Sequence, residues 1–202
     1  MLPIQIPGNP NLEFRLLETS DLEDLQIFCD HCKSLNLKNN DSFKSIKLDK
    51  MSMPYGQYFI GYDHDKKQIW NLAGVHQLPE VGEHAWRCLF RGVQLPGYSM
   101  NQGLSRDFFK TGYQFSYVLE MQVRFILQHD PISEFYTSTN NLNNDEYFSK
   151  SQNLDQNMLP LLVKRGIFTK AHDDFTLYNT KQSIWKLNFN TYLQERKKSI
   201  GF

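Results

Sequence analysis

Cysteine is scarce in this chain, surplus charge is absent, and no apolar run is long. Of 202 residues only Cys29, Cys32 and Cys88 are cysteines. An odd number suits reduced thiols better than a disulfide framework. Lysine plus arginine and aspartate plus glutamate are equal at 22 each, which argues against nucleic acid as a partner, since such binders need clustered positive charge. No stretch approaches the ~20 apolar residues that cross a bilayer, so no membrane partner is expected. The opening Met1-Leu-Pro-Ile-Gln-Ile-Pro-Gly8 lacks a basic region followed by an apolar run, so no signal peptide is expected. The expected location is intracellular, in the cytoplasm. Internal repeats, low-complexity segments, a Gly-x-Ser-x-Gly elbow, a Walker loop and a dinucleotide fingerprint are all missing.

Packing residues are ample: 40% of the chain is hydrophobic and 14% aromatic. The length fits one domain, 1–202, with an extended arm over 1–11 and a terminal helix within 189–202. Leu12, Phe14 and Leu16 alternate as a strand does. Ser20-Asp-Leu-Glu23 predicts a capping box, and the helix behind it places Leu22, Leu25, Phe28, Cys29 and Cys32 on one stripe. A shorter helical patch carries Phe43, Ile46 and Met51. Period 2 then predicts a hairpin from Tyr58–Tyr62 and Ile69–Val75, followed by a strand from Ala85. In that strand Trp86, Cys88 and Phe90 face one way, and Arg87 and Arg91 the other. Phe115 to His129 reads as a buried helix stopped at Asp130-Pro131. Glu134–Ser138 is a strand, and a helical region is capped by Gly166. Two strands follow, one near 167–170 with an extension to Tyr178 left open and one at 183–187, and a last helix covers about 191–198.

Cys29-Asp-His-Cys32 has the spacing of half a zinc site or of a redox pair, but no second pair follows to complete four zinc ligands, and both cysteines lie on the apolar stripe. Core packing is the expectation, and no metal is expected. The six histidines (His31, His64, His76, His84, His129 and His172) have no partner at metal spacing. Trp70, Trp86 and Trp185 fall in strands and are expected in the core.

This order of elements, with Phe14-Arg-Leu-Leu-Glu-Thr-Ser-Asp-Leu-Glu23 at the start and Lys164-Arg-Gly-Ile167 near the end, resembles the GNAT family of N-acetyltransferases over roughly residues 12–188. Thr139-Asn-Asn141 and Tyr178-Asn-Thr-Lys-Gln182 are similar to phage-encoded members. The resemblance implies an α/β fold with a mixed, mostly antiparallel central sheet flanked by helices. It also implies acetyl-CoA or another acyl-CoA as cofactor and an amine as acceptor. A homo-oligomer or an assembly partner is compatible with it. In the family the thioester's pantetheine arm enters beside a splayed central strand, and backbone N–H groups of the following turn and helix hold the pyrophosphate. The signature there is Gln/Arg-x-x-Gly-x-Gly/Ala. Here Gln94-Leu-Pro-Gly97-Tyr-Ser99 matches its first two positions and puts serine at the third.

About 19 residues then separate this turn from the helix at Phe115, against the immediate helix of the family. Either Tyr98 to Phe109 is itself helical, or the phosphate turn lies near Thr111-Gly112-Tyr113. The cofactor-binding candidates are thus Gln94, Gly97, Ser99 and Gly112. Where many members carry a glutamate base on the preceding strand, this chain has Trp86, Cys88 and Phe90. Leu162 stands where many carry a tyrosine acid. Glu120, Glu134, Tyr147 and Tyr178 remain as alternatives, so the catalytic residues are open. Two readings of function also stay open: an acyl-CoA-dependent N-acyltransferase, and a GNAT-fold module that binds without catalysis.

Overall fold

The computed structural model describes residues 2–6, 9–34, 56–95, 114–140, 158–177 and 180–200. Eight strands lie in the order β1-β2-β3-β4-β5-β6-β8-β7: β1 Ile4–Ile6, β2 Asn9–Leu16, β3 Gly56–Asp63, β4 Gln68–Gln77, β5 Ala85–Gln94, β6 Glu134–Asn140, β7 Phe168–Leu177 and β8 Thr180–Leu187. The helices are α1 Leu22–Ser34, α2 Gln114–His129, α3 Met158–Lys164 and α4 Phe189–Ile200. The mixed, mostly antiparallel sheet is the expected one. The pairs β1–β2, β2–β3, β3–β4, β6–β8 and β7–β8 are antiparallel, and β5–β6 is parallel. The chain divides into two compact units, 1–77 with 88–131, and 78–87 with 132–202. Residues 85–87 of β5 belong to the second unit and 88–94 to the first.

In the first unit, β4 is buried nearly end to end, and its apolar residues Ile69, Trp70, Leu72, Ala73 and Val75 fall on both faces without strict alternation. The expected hairpin forms as β3 and β4. Its turn is held by Asp63, whose Oδ1 accepts from the N–H groups of Asp65 (3.0 Å) and Lys66 (3.1 Å). Opposite Gly61 the register slips, and Trp70 fills the space where a side chain at Gly61 would stand. Phe14 packs against that indole with ring centroids 5.0 Å apart. Leu12 and Phe14 are buried as their alternation predicts, while Leu16 is half-buried. Glu13, on the other face, is also buried. It is partnered by Gln5 Nε2 (3.0 Å), Arg15 Nε (3.2 Å) and His64 Nε2 (3.0 Å), as a buried carboxylate must be.

Two expectations are corrected here. Part of the extended N-terminal arm is a strand: Ile4 pairs with Phe14 and Gln5 with Glu13. The capping box lies two residues before the expected one, with Glu18 at the N-cap and Asp21 closing it. Thr19–Asp21 form a 3-10 turn, and the Asp21 carboxylate accepts from the Glu18 N–H at 2.8 Å. Arg15 fixes Asp21 in that place, as described below. The α1 stripe follows its spacing, with Leu25, Phe28, Cys29 and Cys32 buried and Leu22 half-buried. The expected helical patch at Phe43, Ile46 and Met51 lies outside the described residues.

In the second unit, β6, β8 and β7 follow one another. One face carries Ala85, Tyr136, Ile184 and Leu177 packed with Leu78 and flanked by Val81 and Phe175. On the other face Phe135 stacks on Phe189 of α4 at 5.6 Å. The α3 end is the expected glycine cap. Gly166 has φ of 70°, its N–H bonds Val163 O at 2.9 Å, and the Ile167 N–H bonds Leu162 O at 2.9 Å. These two bonds define the Schellman motif. The last helix starts earlier than expected, at Phe189, because Asn188 caps it: its Oδ1 accepts from the Thr191 N–H at 3.1 Å.

Candidate functional site

The strand expected to lead into the phosphate turn is β5, and it ends at Gln94 as its sequence implies. Two bonds run it antiparallel to β4: Leu78 N–H to Ala85 O at 2.7 Å and Leu95 N–H to Trp70 O at 3.0 Å. Gly97, Ser99 and Gly112 lie outside the described residues, as do Tyr147 and Tyr178. The helix beyond them opens at Gln114, one residue before the expected Phe115, and its first-turn N–H groups have no partners within the helix.

Trp86 and Cys88 are buried, as expected of one strand face. Burial pushes the Cys88 thiol up to about 12, so it stays protonated near neutral pH and is a poor nucleophile. Leu162, in the place of the family's tyrosine, is fully buried at the α3 cap and has no proton to give. Glu120 is buried on α2 and bonds Arg124 at 2.6 Å. Glu134 accepts from Lys186 Nζ at 2.5 Å and from the Tyr136 hydroxyl at 2.6 Å. These two bonds, Lys186 foremost, hold its carboxyl below the usual range, which makes it a weaker base. Tyr136 moves the opposite way, raised first by burial and then by its bond to Glu134. Cys29 and Cys32 sit side by side in the α1 core, and burial, with Cys29 as neighbour, pushes Cys32 up to about 12. Among the described residues no group of three or more His, Cys, Asp or Glu could hold a metal ion. Likewise, no described helix is long and apolar enough to cross a membrane.

One polar arrangement was not foreseen from the sequence. Arg87 Nη2 on β5 donates to Ser138 Oγ on β6 at 2.5 Å. Ser138 Oγ donates to Gln182 Oε1 on β8 at 2.5 Å, and Gln182 Nε2 donates to Leu177 O at the end of β7 at 3.3 Å. The bonds run in one direction because a guanidinium only donates. That commits the serine proton to Gln182 and sets the amide's orientation. A single line of side chains thus crosses all four strands of the second unit. The sequence puts Arg87 on the face of β5 opposite Trp86 and Cys88. What the sequence hid is the register that brings Ser138 and Gln182 to it, with Arg87 opposite Tyr136 and Ser138 opposite Ile184.

No protein-family model and no curated protein matches the chain. Solved structures do. An uncharacterized protein from Bacillus halodurans superposes with a TM-score of 0.57 at 13% identity, covering 99% of this chain and 96% of that one. The ribosomal-protein-S5-alanine acetyltransferase of Vibrio fischeri gives 0.52 at 10% identity, with 92% and 95% covered. FdhC, described as a nucleotide-linked sugar GNAT, gives 0.50 at 12% identity, with 99% and 98% covered. At such identities the likeness is one of architecture, and no source organism follows from it. It extends over nearly the full length of each, and the chain has the GNAT fold.

Proposed function

We propose that this protein is an acyl-CoA-dependent N-acyltransferase, with acetyl-CoA as the donor and a primary or secondary amine as the acceptor. The observation that carries the reading is the strand order, with the parallel pair β5–β6 among antiparallel pairs of the described residues and β5 running out at Gln94. Structures that superpose on this chain over nearly their whole length include a named acetyltransferase and a named GNAT.

The fit of the chain to acyl-CoA rests on two features. The long helix α2 opens at Gln114, and the unpaired amides of a helix start favour the anionic pyrophosphate. Gly112 precedes that opening by two residues, which favours the Thr111-Gly112-Tyr113 alternative for the phosphate turn. Gln94, Gly97 and Ser99 form the other alternative, directly behind β5. The bound thioester would supply an electrophilic carbonyl. At the described part of β5, Trp86, Arg87 and Cys88 offer no group that takes a proton at neutral pH. The chain's contribution is therefore to hold a neutral amine against the donor, a source of rate that needs no base. The buried, protonated Cys88 argues for direct transfer over a covalent acyl-cysteine.

A second reading has its own observation. Leu162 is a core residue where the family's acid stands, and Glu134 is engaged by Lys186 and Tyr136. Both fit a GNAT-fold module that binds acyl-CoA or an assembly partner without turnover. A thermal melt with acetyl-CoA tests what both ligand-binding forms share. A ligand at a hundred times its Kd stabilises by about 2.7 kcal/mol, a shift of several degrees. No shift against a matched salt control contradicts the acyltransferase.

A further inference from the structure

We draw no further inference here: the strongest candidate, the exposed middle of the edge strand β7 with its register shifts on either side of His172, carries nothing because nothing in the structure shows what covers it.

Discussion

Arg15 grips Asp21 with both ends of its guanidinium, Nη1 to Oδ2 at 2.6 Å and Nη2 to Oδ1 at 2.7 Å. Asp21 also accepts from the Glu18 N–H, so one carboxylate joins β2 to the turn that launches α1. Burial acts to raise the Asp21 pKa, but the bonds from Arg15 and Glu18 and the charge of Arg15 outweigh it, and the net shift is downward. A carboxyl whose folded pKa lies below its unfolded value adds stability above the unfolded value, and that stability fades as pH falls through the folded one. Wild-type protein should therefore lose stability below about pH 4 more steeply than Asp21→Asn, as followed by chemical denaturation across pH. At neutral pH Asp21→Asn should cost about 1.5–3 kcal/mol, the worth of hydrogen bonds to a charged group.

Cys32 and Cys88 should be inert in the native protein. Both thiols are pushed up to about 12 by burial, and the thiolate is the reactive form. Labelling with a thiol reagent at pH 8 should be slow at Cys29, Cys32 and Cys88 and rapid after unfolding. Fast native labelling of Cys32, or stoichiometric zinc lost on Cys32→Ser, would mean that the α1 stripe is not sealed.

Gly61 should reject even a methyl group. An added Cβ would stand 2.6 Å from Trp70 Cε2 and 3.0 Å from Asn71 Cβ, and Trp70 is fully buried with Phe14 against it. Gly61→Ala should destabilise by about 1–3 kcal/mol, as overpacking does. Gly166→Ala has open space around it but a φ of 70°. It should cost about 1 kcal/mol from backbone strain alone.

If the phosphates lie behind β5, Gly97→Val should weaken acetyl-CoA binding far more than Gln94→Ala, because backbone amides rather than side chains hold anions there. If they lie at the start of α2, Gly112→Val should abolish binding while Gly97→Val binds like wild type. Calorimetry on the three variants separates the two.

Much of the fold was legible because it is local. The 3.6-residue stripe of Leu25, Phe28 and Cys32, the Gly166 stop, the Asp130-Pro131 stop and the β3–β4 hairpin all depend on residues close in sequence. The capping box stands two residues from its expected place because Ser20 and Glu23 satisfy the same local rule as Glu18 and Asp21. What decides between them is Arg15, on the preceding strand. The pairing of β1 with β2 and the Arg87–Ser138–Gln182 line depend on register between segments, which no single stretch encodes. For the candidate site, β5 and its end at Gln94 could be read directly. The absence of a base and of a tyrosine at Leu162 was equally readable, but what replaces them was not.

The acyltransferase itself is tested most directly by incubating the protein with acetyl-CoA and a panel of amines and following release of free CoA thiol. The buried cysteines keep the protein's own background low. The account predicts amine-dependent release that grows with pH as the acceptor loses its proton, with no change in the intact mass of the protein when the amine is left out. Binding of acetyl-CoA without release for any amine would leave only the non-catalytic module, and release that proceeds through an acylated protein would contradict direct transfer.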